Sequence, residues 1–330
     1  MIILFFIIFI LNILFFLNLK YLSENFKIYD IPDNKRKLHK VPIPLLGGIL
    51  IYLNLILIFL FNYFNDYNFY FFKSNIEQIV FIIALSFFFI IGLVDDKNNL
   101  SSNVKLFLIT LIIFVTLMFD KGLLIKKLTF SFYNFEINLG IFSYFFTIIC
   151  FLLFMNAFNM IDGINGQAAT YSIFIFLVFI FKNINIIFYS LILIPLIIFL
   201  IFNFKNKIFL GDNGTLPLGY FISYIFIDNY NEVKSFYCDE IFLIMMIPGF
   251  ELLRLAIYRI IKKKHPFKAD RNHIHHLILR KYSYIKTFLA IQFLLILPYI
   301  SFIFSGNAIF SVIFVSVLYS VVIYRNTLIK

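Results

Sequence analysis

Long apolar stretches alternate with short polar islands from one end of this 330-residue chain to the other. About eleven of the stretches, each roughly 16 to 22 residues, are long enough for an α-helix to cross a hydrocarbon core of about 30 Å. They fall near 1–19, 45–62, 76–94, 104–119, 140–158, 167–182, 184–203, 214–228, 239–261, 286–304 and 307–324. The pattern predicts an all-α polytopic membrane protein of about 10–11 transmembrane helices, built as a single domain over 1–330. One connection differs: between Asp120 and Asn138, apolar and polar residues alternate around Thr129 to Glu136, which fits a short periplasmic hairpin on the membrane surface. The first stretch has no basic leader and no small-residue cleavage pattern, so a retained helix is expected rather than a signal peptide.

Five polar islands stand out between the stretches. The first runs from Asp30 through Pro32, Arg36, Lys37, His39 and Pro44 to Gly47 and Gly48; the second is Asp95-Asp96-Lys97-Asn98-Asn99-Leu100, closed by Lys105. The third is Asn156-Ala157-Phe158-Asn159-Met160-Ile161-Asp162-Gly163-Ile164-Asn165-Gly166. The fourth is Phe209-Leu210-Gly211-Asp212-Asn213-Gly214-Thr215, and the fifth runs from Lys262 through His265, Asp270 and Arg271 to His273, His275 and His276. Lipid solvates neither a carboxylate nor an amide, so segments this polar must face water, a partner or a substrate.

Composition agrees with the membrane reading: 62% of the residues are hydrophobic and 49 are Phe, against an apolar share of roughly half in a soluble domain. Trp is absent, which leaves Tyr to supply interfacial aromatics. Cys150 and Cys238 imply no disulfide framework. Of the 28 Lys and Arg, only Lys73, Lys121, Lys126, Lys127, Lys182 and Lys234 fall on the side opposite the islands. The positive-inside rule then puts all five islands in the cytoplasm and the hairpin outside. The net charge of +11 is therefore first a topology signal. With no soluble segment of useful size, it gives no support to nucleic-acid binding.

Each island has a plain structural reading of its own. An Asp pair at a helix end is often a solvated cap, a Gly-Asp-x-Gly turn is common, and a basic run such as 35–40 is usually a topology determinant. His273 and His276 stand one helical turn apart, as metal ligands can, but no Cys accompanies them. Taken together the inventory is more telling. Asp95, Asp96, Asp162 and Asp212 supply hard oxygen ligands of the kind Mg²⁺ takes alongside substrate phosphates, while Lys, Arg and His beside them suit a multiply charged anion. Phosphoryl transfer needs both. An enzyme of this kind in a membrane would join a soluble phosphorylated donor to a lipid acceptor.

These five motifs, in this order, resemble the polyprenyl-phosphate N-acetylhexosamine-1-phosphate transferases, and the WecA-like branch in particular. Asp30, Pro32, Arg36, Lys37 and His39, the Asp95-Asp96 pair, the 156–166 loop, the 211–215 turn and the 269–276 segment carry the resemblance over nearly the whole chain. It implies transfer of N-acetylhexosamine-1-phosphate, with GlcNAc the family default, from a UDP-sugar to undecaprenyl phosphate. The transfer would release UMP and start a lipid-linked surface glycan such as O-antigen. It also implies Mg²⁺, with Mn²⁺ as a substitute, held by Asp212 and Asn159. Asp95 and Asp96 would order the acceptor phosphate or take its proton, with Asp162 beside them in the catalytic set. His273, His275, His276 and Arg271 would hold the donor's phosphates and sugar. Lys105 would touch the diphosphate, Phe209 and Asn165 would lie against the uracil, and Asn156, Arg36 and His39 complete the substrate contacts. The implied setting is the bacterial cytoplasmic (inner) membrane, with the site facing the cytoplasm and room for a homodimer.

The chain departs from the family pattern at Asn165, where Asp is common, at Gln167, where Leu is usual, and at Thr215, where Ser is common. Asn165 and Thr215 keep hydrogen-bonding capacity, so these departures bear on nucleobase or sugar preference rather than on activity. The interrupted His-Ile-His-His at 273–276 favours the WecA-like branch over an MraY-like phospho-MurNAc-pentapeptide transferase, in which three adjacent His are usual. An ion-coupled transporter is a third reading. It is disfavoured because the carboxylates cluster toward one face rather than at mid-membrane, and because Glu251 and Arg254 are spaced i, i+3 as a structural ion pair would be.

Overall fold

A computed structural model describes residues 2–32, 41–65, 72–264 and 272–327. Lipid offers the backbone no hydrogen-bond partner, so apolar stretches close their bonds internally as helices. Among the described residues these are α1 (Ile2–Leu17), α2 (Leu19–Phe26), α3 (Gly47–Asn65), α4 (Asn75–Asn98), α5 (Ser102–Phe119), α6 (Ser143–Ile161), α7 (Gln167–Phe181), α8 (Ile186–Phe204), α9 (Asp212–Asp228), α10 (Cys238–Ile261), α11 (Ile274–Leu279), α12 (Tyr284–Ser305) and α13 (Ala308–Thr327). Two short antiparallel pairs accompany them. β1 (Tyr29–Asp30) pairs with β2 (Ile43–Pro44), and β3 (Lys127–Phe130) pairs with β4 (Tyr133–Asn138).

Every expected span has its helix, and the protein is a multi-pass membrane protein. Among the described residues, eight helices are long and apolar enough to cross a bilayer, or nine if α1 and α2 count as one. The first span is shorter than expected because the chain bends by 70° between α1 and α2. The apolar run gives way there to Leu19-Lys20-Tyr21-Leu22-Ser23-Glu24-Asn25-Phe26, a mixed sequence suited to an interface rather than a lipid core. α7, with 15 residues, is also short for a crossing. The expected hairpin is present as β3 and β4, with Lys127 opposite Asn138 and Thr129 opposite Glu136.

The described residues form two compact units, Met1–Lys121 with Ala168–Ile225, and Gly122–Gln167 with Phe226–Lys330. In the first, residues 213–225 of α9 are buried without interruption, as befits a helix enclosed on all sides. Helices in lipid gain little from hydrophobic burial against one another and depend on close packing and polar contacts. Phe59 and Phe81 (centroids 4.7 Å apart), Phe81 and Tyr224 (4.7 Å), and Phe88 and Tyr220 (4.7 Å) supply the packing. The polar contacts run from Asn12 Nδ2 to Asn54 Oδ1 at 2.9 Å, from Gln78 Nε2 to the Phe59 carbonyl at 2.8 Å, and from the Tyr224 hydroxyl to Asp120 at 2.7 Å.

In the second unit α10 packs on α6, α12 and α13. The hairpin is tied down by polar groups: the Ser131 amide donates to Asp239 Oδ1 at 3.0 Å, and the Thr129 amide donates to the Tyr230 hydroxyl at 2.8 Å. Lys127 and Glu136 form an exposed ion pair across it at 2.8 Å, which holds the Glu136 carboxyl below its ordinary range. Cys150 and Cys238 are both free thiols.

Candidate active site

In the first unit, folding brings the first, second and fourth islands together. The backbone between Pro44 and Gly48 zips onto 209–210: Phe209 N donates to Pro44 O (3.0 Å), Gly47 N to Phe209 O (2.9 Å) and Gly48 N to Leu210 O (3.0 Å). This fixes the turn that leads into α9 and holds half-buried Phe209 at its edge. α4 passes against the same turn at Gly92. A Cβ there would lie 2.3 Å from the Asp212 carbonyl oxygen and 2.4 Å from Asn213 Cα, so only glycine permits the approach.

One helical turn beyond Gly92, Asp96 receives the start of α9. Its Oδ1 accepts the Asp212 amide at 2.9 Å, and its Oδ2 accepts the Asn213 amide at 2.9 Å and the Asn213 side-chain amide. Gly211, in front of the helix, has no side chain with which to cap it. A carboxylate from another helix does so instead, satisfying amides that an α-helix leaves unpaired and placing negative charge at the positive end of the dipole. Asn213 Nδ2 also reaches the Leu45 carbonyl at 2.9 Å, which ties the first island to the cap.

Asp95 turns to a different partner. Its Oδ1 accepts the Leu100 amide at 2.6 Å, closing the turn between α4 and α5, and its Oδ2 accepts from Lys105 Nζ at 2.8 Å. The same ammonium is paired with Asp212. The side chains of Lys105, Asp95 and Asp212 are 15%, 14% and 25% exposed, so the triad is sheltered yet reachable from solvent. The Asp pair expected to act together is thus divided, Asp95 facing a cation and Asp96 spent on the backbone of α9.

The Lys105 contacts also test whether Mg²⁺ suits the site. Carboxylate oxygens of Asp95 and Asp212 converge on one positive charge, and one or two carboxylates completed by substrate phosphates and water are the usual protein share of a Mg²⁺ shell. No group of three His, Cys, Asp or Glu able to hold a metal alone occurs among the described residues. The donor set fits a hard cation brought in with a phosphorylated substrate.

In the second unit the third and fifth islands meet. Asn156 and Asn159 sit three residues apart on the last turns of α6, and Asp162 follows its end. Asn156 Nδ2 donates to the Leu152 carbonyl at 2.7 Å, inside its own helix. His273 precedes α11, with His275 and His276 in its first turn. The His275 and His276 ring centroids lie 4.3 Å apart and those of His273 and His275 5.3 Å apart. His275 is buried against Gly163: a Cβ at 163 would lie 2.0 Å from His275 Cε1 and 2.2 Å from Nε2. Burial, and then the neighbouring His276 and His273 charges, hold the His275 imidazole well below its ordinary pKa, so it is neutral at pH 7. The Asn165 carbonyl accepts the Tyr284 hydroxyl at the start of α12. Arg36, His39 and Arg271 lie outside the described residues.

Three participants were not legible as site residues. Asn213 and Gly92 are packing partners whose roles depend on contacts more than 110 positions away in sequence. Tyr284 carries no local signal beyond its place at a helix start. For Asn213 a clue exists, since Gly211 stands where a capping side chain is normally found before a helix.

A sequence model of glycosyl transferase family 4 matches residues 78–229. The chain is 27% identical over 286 residues to the undecaprenyl-phosphate alpha-N-acetylglucosaminyl 1-phosphate transferase of Escherichia coli (strain K12), covering 83% of this chain and 75% of that protein. It is 30% identical over 262 residues to a Bacillus subtilis (strain 168) protein named "Probable undecaprenyl-phosphate N-acetylglucosaminyl 1-phosphate transferase", covering 76% of this chain and 69% of that one. The chain belongs to glycosyl transferase family 4. A family relative from Yersinia pestis, with the same name as the Escherichia coli enzyme, is 27% identical over 265 residues, covering 75% of this chain and 68% of the relative. The matched span of the family model includes Asp95, Asp96, Lys105, Asn156, Asn159, Asp162, Asn165, Phe209 and Asp212, while the histidine segment falls beyond it.

Proposed function

We propose that the protein transfers N-acetylhexosamine-1-phosphate, with GlcNAc-1-phosphate the first candidate, from a UDP-sugar to undecaprenyl phosphate, releasing UMP. It would act in the bacterial cytoplasmic membrane with its site on the cytoplasmic face, at the start of a lipid-linked surface glycan. The relatives' names support the lipid acceptor and the sugar phosphate. The observation that carries the reading within this chain is the sheltered triad in which Asp95 and Asp212 converge on Lys105.

A phosphate oxygen of the lipid attacks the β-phosphorus of the donor, and the bond from that phosphorus to the bridging oxygen breaks. UMP leaves with the bridging oxygen and its electron pair. A phosphate monoester has a second pKa of about 6, so the acceptor is mostly dianionic at neutral pH and asks for orientation rather than deprotonation. Asp95 would supply that orientation, while the Lys105 ammonium would offset the charge that gathers on the diphosphate. In the second unit, His273, His275 and His276 would supply donors to the sugar phosphate. Asp212 would hold Mg²⁺, which when bound neutralises phosphoryl oxygens and lines up the diphosphate.

The test uses purified full-length protein with undecaprenyl phosphate, Mg²⁺ and UDP-GlcNAc labelled in the β-phosphate. Label should move into the lipid in step with UMP release and stop in excess EDTA or with Asp212→Ala. No UMP from UDP-GlcNAc, UDP-GalNAc or UDP-MurNAc-pentapeptide would overturn the reading. A burst near one equivalent of UMP without lipid would instead replace direct displacement with a covalent route.

A further inference from the structure

Glu251, midway along α10, is 6% exposed and uses its whole carboxylate. Oε1 accepts from Arg254 Nη2 at 2.7 Å and from the Ile274 amide at 2.7 Å. Oε2 accepts from Arg254 Nε at 3.0 Å and from the Tyr319 hydroxyl of α13 at 2.6 Å. Arg254 Nη2 in turn donates to the Asn272 carbonyl at 2.6 Å. The ion pair foreseen from its i, i+3 spacing therefore does more than stiffen a helix. It grips the main chain on both sides of His273, at the carbonyl before it and at the amide after it.

That grip has consequences for the histidines. α11 has only six residues and begins without a capping side chain of its own, so the carboxylate supplies the acceptor that its first amide lacks. With residues 272 and 274 fixed to α10, His275 is set one residue further on, its ring against the Gly163 backbone beside Asp162. Arg259, one turn and a half along α10 from Arg254, brings its Nη2 within 3.5 Å of His273 Nε2. An Arg fork is planar and bidentate, which gives the clamp a single geometry that a lysine could not reproduce.

We propose that Glu251 and Arg254, backed by Tyr319, are positioning residues that hold the His273–His276 segment in its working geometry through the backbone on either side of His273. The proposal rests on the reading that these histidines serve the sugar-phosphate donor. Partners that orient functional side chains typically change activity about 10–100-fold when removed.

The experiment compares Glu251→Gln, Arg254→Lys and Tyr319→Phe with the wild type in the full-length protein, varying UDP-GlcNAc and undecaprenyl phosphate separately. Glu251→Gln and Arg254→Lys should lower kcat/KM for UDP-GlcNAc by about 10–100-fold while leaving KM for the lipid unchanged. Tyr319→Phe, which removes one of four donors and no charge, should fall between them and the wild type. Glu251→Gln combined with His276→Ala should lose no more than the more damaged single variant, because residues acting as one unit are non-additive. Losses that multiply, or an equal rise in the lipid KM, would overturn the proposal. Hydrogen exchange gives a readout independent of activity: Glu251→Gln should speed exchange across 272–279 but not across the 127–138 hairpin. Unchanged exchange at 272–279, or faster exchange at both places, would overturn the clamp. If the wild type transfers no sugar phosphate, this arm still decides whether the clamp holds the histidine segment, and only the functional reading falls.

Discussion

Replacing Asp96 with alanine removes the acceptor from three donors at the start of α9, the amides of Asp212 and Asn213, each at 2.9 Å, and the Asn213 side chain. Loss of a helix cap costs about 0.5–2 kcal/mol, and a buried donor left without a partner about 1–3 kcal/mol. Water reaches part of this site, so the sum for Asp96→Ala is about 2–4 kcal/mol. Asp96→Asn keeps one accepting oxygen but turns an NH₂ toward a second donor, for about 1–2 kcal/mol. Asp95→Asn is different. Its remaining oxygen can still accept from the Leu100 amide, and Lys105 keeps Asp212, so the loss is about 1 kcal/mol or less.

The assay is thermal unfolding of each purified variant in one detergent, run beside sugar-phosphate transfer. Asp96→Ala should unfold lowest, Asp96→Asn between it and the wild type, and Asp95→Asn close to the wild type although it loses most of its turnover. The two carboxylates would then be separated, one holding α9 and the other facing the reaction. If Asp96→Ala keeps its stability within about 0.5 kcal/mol, the range of neutral substitutions, and loses activity all the same, its carboxylate serves substrate and the capping account is wrong.

Gly92→Ala should destabilise the protein by about 1–3 kcal/mol, because its Cβ meets the backbone of Asp212 and Asn213; Gly249→Ala, which meets nothing within 4 Å, is the control, and equal unfolding midpoints would refute the close-approach argument. His275 predicts a pH dependence: its folded pKa lies below the unfolded value of about 6.5, so the unfolded chain binds more protons below that pH and stability falls as the solution is acidified, by up to about 1.4 kcal/mol per pH unit. His275→Gln should lose less stability than the wild type between pH 7.5 and pH 5.5, and parallel curves would refute the assignment. Cysteines introduced at Asn98 and Lys263 should react with an impermeant reagent only after permeabilisation, whereas one at Tyr133 in the hairpin should react from outside; labelling of Asn98 in intact cells would invert the topology.

The helices could be read from the sequence because lipid enforces one rule, that backbone polar groups be satisfied within the segment, and apolar length is its visible trace. The bend after α1 was harder to see. Leu19 and Leu22 prolong the apolar pattern while Lys20, Ser23 and Glu24 end its fitness for lipid. A window of average hydropathy blurs that change. The hairpin was legible because period two is as local a signal as period 3.6. What a local signal cannot give is which helices share a unit, and here 168–225 returns to pack with 1–121.

The site divides in the same way. Chemistry that depends on residue type, such as carboxylates, a lysine and a histidine group between apolar spans, showed in the sequence because such groups are costly near lipid. Chemistry that depends on partners did not. Asp95 and Asp96 are neighbours of one type, and only the arrival of α9, 116 residues later, gives Asp96 three donors while Asp95 keeps Lys105. Adjacent side chains on a helix point about 100° apart, so two neighbouring acids rarely face the same partner. A doubled Asp at a helix end is therefore better read as two separate sites than as one repeated. Here the first meets the cation and the second holds the helix that carries Asp212. Glu251 extends the point: its spacing to Arg254 announced the ion pair, but the Ile274 amide it also grips lies 23 residues on, where only the fold could bring it.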